Sequence, residues 1–167
     1  MDTRNELLGL LTEELEKKGI KILERGMGTQ EMGRIDLLAI QQGRLLLVGL
    51  FPDPEETLIC QILNIVDWAH QNLYNLNRLL KEVDPTQCPG MVLVVSHLPP
   101  RIRTALSYLP LDGWQIYEYY LSDEGRMFLK EVPMSAPTRS EAKRWRQEAE
   151  LSPEELKELI DLHSGIS

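Results

Sequence analysis

Asp36 is the residue whose setting first invites a chemical reading. In Gly33-Arg34-Ile35-Asp36-Leu37-Leu38-Ala39-Ile40 a carboxylate breaks an otherwise apolar stretch. As a hard oxygen donor it would suit Mg²⁺, which polarises a phosphate and activates water. It fits equally well as a cap on a turn, or as a partner for Arg34 or a lysine at a strand end. Glu6 follows Thr3 at capping-box spacing, which accounts for it without chemistry. Glu55 and Glu56 follow Asp53-Pro54, where acids in the first turn of a helix favour its dipole.

Other polar and aromatic groups are candidates for a site, each with a structural explanation beside it. Gln61 borders an apolar helical stripe, with Trp68 two turns further along the same edge. Together they would line a cleft, although core packing explains Trp68 as well. Arg101 and Arg103 follow Pro99-Pro100, and Lys143, Arg144 and Arg146 flank Trp145. Either cluster would reach phosphate, but Glu141, Glu148 and Glu150 dilute the second into an intrahelical salt-bridged surface. Tyr117, Tyr119 and Tyr120 suit stacking, or a strand near a sheet edge that packs on a partner. His70, His97 and His163 lack metal-ligand spacing, and no serine or cysteine is expected to pair with them as a nucleophile. Cys60 and Cys88 have no CxxC or Cys/His pattern and are expected to be reduced and partly buried.

Composition narrows the classes. The chain has 167 residues, 43% hydrophobic and 26% charged, which fits one domain with a sizeable core plus a tail. No apolar run spans a bilayer, and the N-terminal segment lacks a signal-peptide pattern. A cytoplasmic protein without membrane contact is expected. The formal charge of -8 opposes a phosphate backbone unless cations gather on one face. Nucleic acid is therefore not indicated as a general partner.

The elements that must position these residues are legible from periodicity. Leu7, Leu8, Leu11 and Leu15 predict a helix over residues 4–18, closed by Gly19. Three strands come next, IKILERGM, RIDLLAIQQ and RLLLVGLF, with a turn at Gln42-Gly43 between the last two. Asp53 and Pro54 supply an N-cap and a first helical residue. That second helix should run to Lys81 with Leu58, Ile62, Ile65, Val66, Ala69, Leu73, Leu76 and Leu80 as its apolar stripe. MVLVVS reads as a parallel central strand buried on both faces. A short helix over 101–109 and the strands WQIYEYYL and RMFLKEV complete an α/β domain with a mixed sheet, in the order αβββαβαββ. The domain spans residues 1–133. A Pro/Ser/Ala/Thr linker covers 134–140, and a helical tail covers 141–167. The tail's Leu151, Leu156, Leu159 and Ile160 form an apolar face suited to a homodimer or to docking on the main domain.

The succession of helix, three-strand meander, helix and strand, with GRIDLLAIQQGRLLLVGLF at its centre, resembles the PD-(D/E)XK, or restriction-endonuclease-like, nuclease superfamily from about Glu6 to Ser96. The resemblance implies that Asp36 matches the family's strand aspartate and Gln61 its helix glutamine. The family's Glu-x-Lys falls on Gly49 and Phe51, neither of which binds metal or moves a proton. Some members donate a helix carboxylate from the position of Glu6. A rearranged Mg²⁺ site would then use Asp36 with Glu6 and Glu55 or Glu56. The expectation from the degenerate motif is a catalytically inactive nuclease-fold protein that serves as a binding or assembly module and needs no cofactor. The alternatives are that rearranged metal-dependent nuclease and an interaction or oligomerisation domain with no nucleic-acid role.

Overall fold

The computed structural model describes residues 3–27, 34–55, 57–109 and 113–134. Among them are α1 (Thr3–Lys17), β1 (Lys21–Met27), β2 (Ile35–Gln41), β3 (Arg44–Phe51), α2 (Leu58–Leu79), β4 (Gly90–Val95), α3 (Pro100–Leu106), β5 (Gln115–Leu121) and β6 (Met127–Glu131). The linker and the helical tail lie outside the described residues, as do Glu56, His163 and the basic cluster around Trp145.

The protein is α/β, with one mixed sheet in the order β1-β2-β3-β4-β5-β6. The pairs β1–β2, β2–β3 and β5–β6 are antiparallel, while β4 runs parallel to both β3 and β5. Antiparallel neighbours close through short turns, whereas parallel neighbours need a crossover. The two crossovers contain α2 and α3. Both move across the sheet in the same direction, so the uniform hand of such connections puts both helices on one face.

Two cores result. On one face Leu38, Ile40, Leu45, Leu47, Leu93 and Val95 pack with Leu58, Ile62, Ile65 and Ala69 of α2 and Ile102 and Leu106 of α3. On the other, Leu37, Ala39, Leu46, Val48, Val92 and Val94 pack with Leu7, Leu8, Leu11 and Leu15 of α1. All six residues of β4 are buried, as a central strand covered on both sides requires. The edge strand β1 is largely exposed, carries Lys21, Glu24 and Arg25, and is interrupted by a register shift between Ile22 and Glu24. Charge and irregularity of this kind blunt an exposed strand edge.

Several boundaries differ from the sequence expectation. Thr3 is already helical, so it does not cap α1. α2 starts at Leu58 with Thr57 as its cap, not at Asp53-Pro54, and ends at Leu79 instead of Lys81. A capping signal contributes about 1 kcal/mol, less than the roughly 2 kcal/mol from burying a leucine. The helix accordingly begins where Leu58 enters the core at 1% exposure. Val66 is exposed and Leu73 and Leu80 are only half-buried, so the buried stripe of α2 is narrower than expected. α3 begins one residue earlier and ends at Leu106, with single turns carrying the chain to Leu109. No helix among the described residues is long and apolar enough to cross a membrane.

Candidate functional site

The site forms where β2 and β3 part. Their ladder runs from Gln41↔Arg44 to Leu37↔Val48 and is closed at the turn by Gln42 (φ 51°) and Gly43 (φ 80°), the left-handed pair that a two-residue hairpin demands. At the open end the next residues of β2 no longer pair with β3. Ile35 there packs with Leu38 and Ile40, not with Leu37 and Ala39 as strict alternation predicts, because the strand has left the ladder.

Leu50 would be left with an unpaired N–H and C=O on that side, and buried backbone groups must find partners. The Leu50 N–H donates to Asp36 Oδ2 at 2.8 Å. Arg4 Nη2 donates to the Leu50 carbonyl at 3.0 Å and to Asp36 Oδ1 and Oδ2 at 2.8 and 2.9 Å. Arg4 and Asp36 together thus act as a substitute strand for one residue. The Asp36 side chain is 1% exposed and that of Arg4 35%, so the carboxylate is desolvated while its counter-ion reaches water. Asp36 is paired neither with Arg34 nor with a lysine, the partners expected from the sequence.

Gly49 and Phe51 depend on each other. They lie two residues apart on β3 and so share one face of the strand. The Phe51 ring folds back over Gly49, and a Cβ on Gly49 would sit 2.6 Å from Phe51 Cε2. Real carbon contacts do not come that close. The ring fills the space into which a longer side chain at position 49 would project, and Phe51 itself packs against the α2-side core.

A cavity of about 480 Å³ opens beside this arrangement, lined by Arg4, Arg34, Phe51, Asp53, Gln61 and Asn64, among others. Arg34 and Gln61, both singled out in the sequence, are brought together here. Asn64, one helical turn beyond Gln61, joins them without having been anticipated. Glu6 and Glu55 are exposed and do not line the cavity. Arg101 and Arg103 sit on α3, away from it, and Arg103 Nη2 lies 3.5 Å from the Pro133 carbonyl. Trp68 is half-buried against the α2-side core, not in the cleft with Gln61.

Remaining candidates fall elsewhere. Cys60 and Cys88 are free and exposed, where partial burial was expected. His70 and His97 are exposed. Ser96 Oγ lies 3.2 Å from His97 Nδ1; the two are sequence neighbours just past β4, outside the cavity of about 480 Å³. Tyr117 is buried, Tyr119 half-buried and Tyr120 exposed. Burial pushes the Tyr117 and Tyr119 hydroxyls above the usual tyrosine value, reinforced by Glu131 and Asp53 respectively. The hydrogen bond to Glu118 raises Tyr120. Tyr117 and Tyr119 share the α1-side face of β5, partly covered by the core there, while Tyr120 points to the other face beside Glu118, so the three do not make one stacking platform.

The donors present do not fit the Mg²⁺ that the nuclease resemblance implies. Both Asp36 oxygens are engaged by a guanidinium, and Gly49 and Phe51 offer no ligand. Among the described residues no group of three or more His, Cys, Asp or Glu side chains converges to hold a metal ion.

The key residue that sequence reasoning missed is Arg4. It carries a signal in retrospect: it is the lone basic residue before Lys17, placed in the first turn of a helix, where the dipole disfavours a cation. A cation held there against the dipole needs an anion, and Asp36 needs a cation.

No protein-family model matches the chain, and no curated protein matches it. Among solved structures it is similar to the SPO1766 protein of unknown function from Silicibacter pomeroyi, at 12% identity and a TM-score of 0.37, covering 84% of this chain and 79% of that one.

Proposed function

We propose that the protein is a restriction-endonuclease-like domain that has lost metal-dependent cleavage and serves as a binding or assembly module. The observation that carries this reading is the Arg4–Asp36–Leu50 arrangement. In the superfamily the strand aspartate is a metal ligand; here its lone pairs are spent on a guanidinium and on the end of a β-ladder. A divalent cation would have to displace Arg4 and would then find one carboxylate with no partner, too few hard donors for a stable site.

The cavity beside the pair is the binding region on this reading. It offers amide groups from Gln61 and Asn64, the Arg34 guanidinium and an apolar wall from Phe51. Such a mixture of apolar wall and a few convergent polar groups is the usual make-up of a ligand-binding cleft.

The test is cleavage of single-stranded, duplex and branched DNA in Mg²⁺ and in Mn²⁺. No product above buffer is expected with either ion. Cleavage by the parent protein that disappears in a folded Asp36→Asn variant would overturn the proposal.

A further inference from the structure

A second cavity, of about 260 Å³, lies between the C-terminal half of α2 and the neighbouring sheet, lined by Val66, Ala69, Leu73, Met91 and Trp114 with Leu47 at its floor. It is apolar where the first cavity is polar. α2 borders it with Val66, Ala69, His70 and Leu73, and Val66 is 37% exposed; Leu63, one turn before Val66 on the same edge and outside the cavity, is 47% exposed. α3 covers the sheet through Ile102 and Leu106, in one cluster with Ile116 and Val132, while among the described residues α2 alone of the helices lines this groove.

The chain leaves the described domain beside α3, where Arg103 Nη2 lies 3.5 Å from the Pro133 carbonyl, at the end of the sheet where the groove lies. β6 runs antiparallel to β5, so its end lies beside the start of β5. There the Val132 N–H donates to the Ile116 carbonyl at 2.8 Å, two residues from Trp114. Met134 packs against the α2-side core, as Trp114 does. The exit is therefore on the same face of the sheet and at the same end as the groove.

The chain beyond the exit supplies an occupant. Residues 152–163, SPEELKELIDLH, open with a capping-box pattern and carry Leu156, Leu159 and Ile160 at helical spacing, with Leu151 just before them. A helix of about 12 residues is marginal in water and gains its stability by burying its apolar face. We propose that residues 151–163 dock in cis in the groove between α2 and the start of β4 and β5, completing the cover of that face of the sheet.

Two native cysteines make the test direct. Cys88 lines the groove, Cys60 lies on α2 outside it, and both are exposed in the described domain. The full chain is treated with a maleimide, and the rate at each cysteine is read by mass spectrometry. Docking predicts that Cys88 reacts at least about tenfold more slowly than Cys60, since access then requires local opening. Leu156→Asp combined with Leu159→Asp should bring Cys88 to the rate of Cys60 and leave Cys60 unchanged. The unchanged Cys60 rate also shows that the domain of the variant is intact. Equal rates in the parent protein, or slow Cys88 labelling that the double substitution leaves untouched, overturn the proposal. Protection that fades on dilution, with a dimer in sedimentation, overturns docking in cis and assigns the groove to a second copy.

Discussion

The two ends of the β2–β3 hairpin each hold an aspartate that accepts three hydrogen bonds, and the two carboxylates do different work. At the closed end Asp84 accepts from the Thr86 N–H at 2.9 Å, the Thr86 hydroxyl at 2.6 Å and Gln87 Nε2 at 3.2 Å. Its own N–H donates to the Gly43 carbonyl at 2.8 Å, tying the loop to the turn. At the open end Asp36 accepts from Arg4, 32 residues away, and from Leu50, 14 away. Asp84 sits at the surface on partners within three residues, whereas Asp36 is almost fully buried. Equal hydrogen bonding therefore does not mean equal consequence. Water can replace the partners of Asp84, but nothing can replace those of Asp36 without moving a helix or a strand.

Removing the counter-ion is the strongest way to break the contrast. Arg4→Met leaves a buried carboxylate without its cation and should cost about 3 kcal/mol in urea unfolding, the low end for a broken buried pair because Arg4 is partly solvated. Asp36→Asn keeps an acceptor for the Leu50 N–H and should cost roughly 1–2 kcal/mol. In the Asp36→Asn background, Arg4→Met should cost only about 1 kcal/mol, since no bare charge is left behind. Equal costs of Arg4→Met in both backgrounds would show that the arginine acts by packing alone.

The apolar half of the open end gives a smaller effect. Gly49→Ala drives a methyl group into the Phe51 ring and should destabilise by about 1–3 kcal/mol, the usual cost of overpacking. Phe51→Leu opens that space, so Gly49→Ala made on top of it should cost less than about 1 kcal/mol. Additive costs would mean that the ring already swings clear of position 49. By the same coupling, any longer side chain placed at position 49 meets the Phe51 ring before it reaches Asp36.

How much of this was legible in the sequence obeys the same division between local and distant partners. The Gln42-Gly43 turn and the strands β2 to β4 depend on neighbouring residues, and turn residues and periodicity show them. The burial of Asp36 was foreshadowed by the apolar residues around it. Its partner was not, because Arg4 reaches it only through the crossing of α1 over the end of the sheet, a contact 32 residues long that no periodicity encodes. The start of α2 was misplaced for a related reason: the cap signal at Asp53-Pro54 is local, while burial of Leu58 depends on β3 and β4. Gln61 and Arg34 were picked out singly, and only the packed sheet brings them to one cavity with Asn64.

The smallest expected effect lies at the closed end and is a matter of pH. The Thr86 hydroxyl, its N–H and the Gln87 amide hold the Asp84 carboxyl below its ordinary value of 3.8. A carboxylate with a depressed folded pKa stabilises the fold above its unfolded value, and that contribution fades as pH falls through the depressed one. Asp84→Asn should therefore lower stability slightly at neutral pH, with the difference from the parent protein closing at pH values below 3.8. Urea midpoints measured down the acid limb check this. A difference that stays constant across that limb would mean that the neutral hydrogen bonds of the turn, not the carboxylate charge, hold the loop against Gly43. Because these donors sit in water, even the full effect should be well below that of Arg4→Met.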